Sequence, residues 1–177
     1  LWVMSVPVSQ APDEPETVRV DFEAGVPVAV DGQRMPGHEL IETLNAVGGR
    51  HGVGQTDLVE NRLVGIKSRG AYETPGGTIL YEAHRALEGL CLDRDTLHYK
   101  QAQSLQYAER VYNGQWYCPL REALDAFFDA TQRSVTGSVT VKCFKGRATV
   151  AGAQSPNSLY STDLASFTMG AEYTPAD

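Results

Sequence analysis

Two stretches of alternating apolar and polar residues lie near the two ends of the chain, and most of what separates them has helical spacing. In "TVRVDFE", Val18, Val20 and Phe22 alternate with Arg19, Asp21 and Glu23. That is the period of a strand with one face buried. "AG" at 24–25 turns the chain into "VPVAV", and "DG" at 31–32 ends that strand, a hairpin pattern. From Ser134 the period of two returns, and "TGSVTVKCFKGRATVAGA" reads as two strands joined at Lys145-Gly146. Hairpins at both ends demand a largely antiparallel sheet. The helices between them must pack on one side of it, which makes the fold α+β.

Pro36 opens the first helix, with Leu40, Ile41, Leu44 and Val47 on one face and Gly48-Gly49 as its expected stop. "GVGQTDLVENRLVGIKS" follows as a strand, placing Leu58, Glu60, Arg62 and Val64 on a common face. Thr74-Pro75 caps the next helix, whose apolar face is Ile79, Leu80, Ala83, Leu87 and Leu90. Another helix is expected from about Asp93 to Tyr112, with Leu105, Ala108 and Val111 inward. Pro119 opens the last of the series, striped by Leu120, Ala123, Leu124, Phe127 and Phe128. "LWVMSV" suggests a short strand, "PVSQAPDEPE" an exposed connector, and "SPNSLYSTDLASF" a turn and short helix. Residues 1–16 thus form a leading segment, and 17–177 the domain proper.

A length of 177 residues suits one domain, large enough to bury about 70% of its unfolded surface without staples. The net charge of −7 disfavours a general nucleic-acid surface or an anionic membrane as partner. No apolar run nears the length of a membrane span, and no signal peptide is visible. The odd, scattered cysteines Cys91, Cys118 and Cys143 read as reduced cytosolic thiols. The start at Leu1 and the close at "EYTPAD" suggest that both ends are cut from something longer.

Candidate chemistry is concentrated in one place. "GGRHGVGQTD" and "ETPGGT" lack the spacing of a phosphate loop, although the helix after Thr74 could hold an anion on its free N–H groups. Of His38, His51, His84 and His98, only His84 has a carboxylate, Glu88, within helical reach, and no metal-ligand set is clustered. Glu60 stands on a mostly apolar strand, where an unpaired carboxylate is costly. It either pairs with Arg62 or receives the ammonium group of a substrate. Tyr72 stands just before a helix cap, either offering its hydroxyl to a ligand or packing as a core aromatic. The residues alone leave both pairs of readings open.

The run "HGVGQTDLVENRLVGIKSRGAYETPGGTILYEAHRALE" resembles the signature region of the argininosuccinate synthase family. "FEAGVPVAVDG" before it, and "LDRDTLHYK", "YAERVYNGQWYCPLREALDAFFDATQ" and "VTGSVTVKCFKGRATVAGAQSPNSLYS" after it, extend the likeness from about Ala11 to the end. The family's Ser-Gly-Gly-x-Asp-Thr-Ser motif for ATP is absent from this sequence. So are the serine-containing segment of the citrulline site and most of the C-terminal oligomerisation tail.

The resemblance therefore implies a synthetase domain over 17–177, truncated before that tail. The enzyme it implies is a cytoplasmic, homotetrameric ligase that joins citrulline to aspartate using Mg-bound ATP, through a citrullyl-adenylate. The same resemblance matches Glu60 and Tyr72 to citrulline-contacting positions. It assigns this chain no catalytic, cofactor-binding or metal residue, and it leaves Arg62, Lys67 and Arg69 structural or electrostatic. ATP and aspartate would be bound mainly by the part not present, and the fragment alone would be inactive. A different reading makes the chain a non-catalytic oligomerisation module, with "VYNGQWYCPL" at an interface.

Overall fold

A computed structural model describes residues 2–161. Five strands form an antiparallel sheet in the order β3-β2-β1-β6-β7: β1 (Glu16–Glu23), β2 (Val26–Val30), β3 (Gln33–Arg34), β6 (Gly137–Phe144) and β7 (Arg147–Gln154). The sheet is centred on β1 and β6, where Val18 faces Val141 and Val20 faces Val139. Its three tight turns put Ala24-Gly25, Asp31-Gly32 and Lys145-Gly146 in the left-handed region, with φ of 46 and 79, 49 and 79, and 46 and 83°. Such pairs match the twist of the strands they join. Strands β1, β2, β6 and β7 and their turns are those the alternation predicts, while the two-residue β3 beyond Asp31-Gly32 is not.

Helices α1 (Gly37–Arg50) and α2 (Pro75–Cys91) cover one face of this sheet. Leu40, Leu44 and Val47 of α1 join Ile79, Ala83 and Leu87 of α2 over Val18, Val20, Phe22, Val139, Val141 and Cys143. Each large side chain buried there contributes about 1.5–3 kcal/mol. Burial also pushes the Cys143 thiol up to about 11, so it stays protonated and inert. All three cysteines are free thiols.

Gly48 and Gly49 do not end α1, which runs on to Arg50. They are packing residues instead. A Cβ on Gly48 would lie 2.8 Å from Pro75 Cβ and 3.0 Å from its carbonyl oxygen, so the missing side chain lets α2 start directly against α1. The Thr74 side chain makes no capping bond. The Gly76 amide donates instead to Asn45 Oδ1 of α1 at 2.9 Å. Pro75 and Gly76 are both buried at this helix start, while Gly77 is exposed.

Helix α3 (Arg94–Tyr112) is capped by Asp93, which accepts from the amides of Asp95 and Thr96. It lies against α4 (Pro119–Gln132) through edge-to-face contacts of Tyr99 with Phe127 and of Tyr107 with Phe128. The expected inward face of α3 is not inward: Leu105 and Ala108 are exposed. On α4 only Leu124 is buried, and Leu120 is exposed. Helical period marks a face but not its partner, and the aromatic side chains make the α3–α4 contact. The pair is tied to α2 at Glu88, 5% exposed, which accepts from Lys100 Nζ at 2.9 Å and Gln132 Nε2 at 2.7 Å. No described helix is long and apolar enough to cross a membrane.

The leading segment holds no strand among residues 2–6; a 3-10 turn (Val8–Gln10) follows. Ser5 and Ala11 are buried against the domain. The turn at Pro156-Asn157 is present, while the short helix expected in "STDLASF" lies beyond the described residues except for Ser161.

Candidate functional site

The segment read as one strand from Gly52 to Ser68 is a hairpin. β4 (Gln55–Asn61) turns through residues 62–66 into β5 (Lys67–Glu73), and the two form a sheet of their own. The Gly65 amide donates to the Arg62 carbonyl at 2.9 Å and the Arg62 amide to the Ile66 carbonyl at 2.8 Å, with Gly65 at φ 83°. Leu63, Val64 and Ile66 at the turn are all exposed. Their apolar character continues the strand pattern past its real end. Glu60 therefore stands not on a buried strand but near the outer end of a projecting arm.

Folding back brings the two predicted residues together. On one face of the arm Thr56 pairs with Tyr72, Leu58 with Gly70 and Glu60 with Ser68. The Tyr72 side chain must run along this face, across Gly70, to reach Glu60. A Cβ on Gly70 would meet the ring at 2.5 Å from Cε2 and 2.7 Å from the hydroxyl oxygen. The bare backbone of Gly70 is thus the slot in which the ring lies. Sequence reading missed Gly70; its one available signal was a glycine two positions before a tyrosine on the same strand face.

Tyr72 donates its hydroxyl proton to Glu60 Oε1 at 2.9 Å. The Arg62 guanidinium approaches the same oxygen at 3.0 Å and also donates to Ser68 Oγ at 3.1 Å. The ion pair proposed between Glu60 and Arg62 exists, although Arg62 lies in the turn and not on a continuing strand. Oε2 of Glu60 has no protein partner among the described residues, and the side chain is 16% exposed. The bond to the Glu60 carboxylate raises the Tyr72 pKa, so the phenol keeps its proton at neutral pH. Because that proton is committed to Glu60, the hydroxyl can act toward a ligand only as an acceptor.

The other basic residues turn away from this pair. Arg69 binds both carboxylate oxygens of Asp57, at 2.8 and 2.5 Å, and Lys67 donates to Asn61 Oδ1 at 2.6 Å. Asp57 and Asn61 alternate with Glu60 along β4, on the opposite face. Both cations therefore stiffen the arm from behind. His84 lies 3.8 Å from Glu88 and touches Gln132 at 2.8 Å, within the network that joins α2 to α4. The glycine-rich stretches are spent on packing, since a Cβ on Gly54 would also collide with the Thr74-Pro75 backbone.

The root of the arm is clamped by the leading segment. Glu73, next to Tyr72, accepts from the amides of Val3 at 2.6 Å, Met4 at 3.0 Å and Ser5 at 2.9 Å, and from Ser5 Oγ at 2.5 Å. The Ser5 hydroxyl and these amides hold its carboxyl at about 2, below its ordinary 4.5. A depressed carboxyl pKa strengthens docking above the unfolded value, and that contribution is lost as pH falls from 4.5 through 2. We expect the amide resonances of Val3, Met4 and Ser5 to titrate with an apparent midpoint near 2, and Glu73→Gln to abolish the transition. A midpoint in the ordinary carboxylate range would refute the clamp.

Comparison with known proteins gives this geometry a context. A family model described as the arginosuccinate synthase C-terminal domain matches residues 1–177. The argininosuccinate synthase of Desulfitobacterium hafniense is 56% identical over 177 residues, which is 100% of this chain and 44% of that protein. Those of Oleidesulfovibrio alaskensis and a Roseiflexus species are also 56% identical, over 99% and 100% of this chain and 44% of each relative. The chain thus spans less than half the length of the relatives it matches.

Proposed function

Because this chain belongs to the argininosuccinate synthase family, as its C-terminal domain, we propose that it forms one wall of the citrulline site of an ATP-dependent C–N ligase. In the proposed reaction the citrulline ureido oxygen attacks the α-phosphate of ATP, releasing pyrophosphate and leaving a citrullyl-adenylate. The aspartate amine then displaces AMP and argininosuccinate forms. Mg-bound ATP and aspartate are assigned in this proposal to the portion of the relatives that this chain does not span.

The observation that carries the reading is the bond of Tyr72 to Glu60 Oε1, with no hydrogen bond to Oε2 among the described residues. An ionised carboxylate oxygen of this kind suits the α-ammonium of an amino acid, and a charge-assisted bond is about twice as strong as a neutral one. The Tyr72 oxygen, committed as a donor to Glu60, accepts an N–H of the ammonium or ureido group. Neither residue exchanges a proton with the reacting centre. Their contribution is orientation, which can remove several kcal/mol from a barrier between two bound reactants.

Incubated with citrulline, aspartate and Mg-ATP, the purified chain is expected to release no AMP. A protein carrying both this domain and an ATP-binding half should release it at one AMP per argininosuccinate. AMP formation by the isolated chain would overturn this division of labour. A homo-oligomeric assembly, tetrameric in the complete enzyme, belongs to the same proposal.

A further inference from the structure

We infer that Tyr112, at the end of α3, is a positioning residue for Glu60, acting through the backbone of the arm; this rests on Glu60 being a citrulline contact. The Tyr112 hydroxyl donates to the carbonyl oxygen of Asn61 at 2.8 Å. Asn61 is the residue after Glu60 and the last of β4. Among the described residues this is the one hydrogen bond between residues 56–72 and the rest of the chain.

The two ends of the arm are held very differently. At the root, the Thr74 amide donates to the Gly54 carbonyl at 3.0 Å, Gln55 Nε2 donates to the Val6 carbonyl at 2.8 Å, and Glu73 clamps residues 3–5. Further out the arm has only its own two-strand ladder, and an isolated two-stranded hairpin is marginally stable in water. Val59, Leu63, Val64 and Ile66 are exposed there and contribute little burial. Position along this outer half is therefore set by whatever touches its end, and Tyr112 is what touches it. A groove of about 490 Å³ lined by Arg62, Leu63, Val64, Ile66 and Tyr112 marks the same junction.

Tyr112 is itself firmly backed. After α3 the chain bends back at Gly114, where the Gln115 amide donates to the Arg110 carbonyl at 2.8 Å. The helix is fixed upstream by Lys100 on the buried Glu88 and by its aromatic contacts with α4. The hydroxyl thus transmits the position of the domain to the Asn61 carbonyl, and so to the Glu60 side chain one residue away. Glu60 also needs this outside support because its own partners, Tyr72 and Arg62, belong to the arm and move with it.

The test is Tyr112→Phe in the complete enzyme, a change that removes one oxygen and keeps the ring. The expected result is a citrulline KM raised about three- to tenfold, the effect of one lost hydrogen bond. The KM for ATP and the thermal midpoint should stay unmoved, while amide exchange over residues 61–67 quickens. An unchanged citrulline KM overturns the inference, whether or not exchange quickens. Glu60→Gln measured alongside separates the two ideas. If it raises the citrulline KM and Tyr112→Phe does not, Tyr112 alone is dismissed. If neither variant moves the citrulline KM, the citrulline assignment of Glu60 falls as well.

Discussion

Glu60→Gln in the complete enzyme should raise the citrulline KM by about ten- to a hundredfold, the loss of a charge-assisted bond. The KM values for aspartate and ATP should stay within about twofold, because nothing at Glu60 addresses those substrates. Glutamine keeps the size of the side chain and still accepts from Tyr72, so the geometry survives while the charge is lost. Arg62, now 3.0 Å from a neutral amide, would leave a net positive neighbourhood that further repels an ammonium. Tyr72→Phe should cost less, about three- to tenfold, since it removes one neutral acceptor for the ligand. The double variant should cost less than the two effects combined, because the residues share the 2.9 Å bond. A citrulline KM unchanged in Glu60→Gln would remove the residue from the site.

How the two residues meet could not be read from spacing. Twelve positions separate Glu60 from Tyr72, and on one continuous strand they would lie far apart. Two features join them, and neither has a strong local signature. The first is a turn made of "RLVGI", whose exposed apolar side chains imitate a strand. The second is the slot at Gly70, visible only once the Tyr72 ring is in place. The roles proposed for the pair rest on the family likeness, since the residues alone left them open.

The main sheet was far more legible. Alternation at Val18, Val20 and Phe22 answers a local demand for one buried face, and Ala24-Gly25, Asp31-Gly32 and Lys145-Gly146 carry their turn geometry in their own residues. The glycines of α1 were misread because their reasons are distant partners, Pro75 for Gly48 and the Met4 carbonyl for Gly49. The same limit applies to α3, where Leu105 keeps helical spacing but finds nothing to pack against among the described residues.

That contrast yields the largest expected effect on stability. Ile79 of α2 is fully buried, between the sheet and α1, whereas Leu105 of α3 is 73% exposed. Ile79→Ala deletes methyl groups from a close-packed interior and leaves a cavity that its rigid neighbours fill only in part. A loss of about 2–5 kcal/mol is expected, a large part of the roughly 5–15 kcal/mol that holds a typical domain folded. Leu105→Ala removes a similar volume from the surface and should move stability by no more than about 0.5 kcal/mol. Denaturant titration of the two variants makes the comparison, and equal losses would contradict the packing described for α3. The Ile79 change should also reach the arm. Helix α2 begins at Pro75, two residues after Glu73, so loosening its seat on α1 loosens the root from which Tyr72 and Glu60 project. The citrulline KM of Ile79→Ala should therefore rise at temperatures where the enzyme is still folded, because more of the hydrogen bonds that hold the arm to the domain lie at its root than at its outer end.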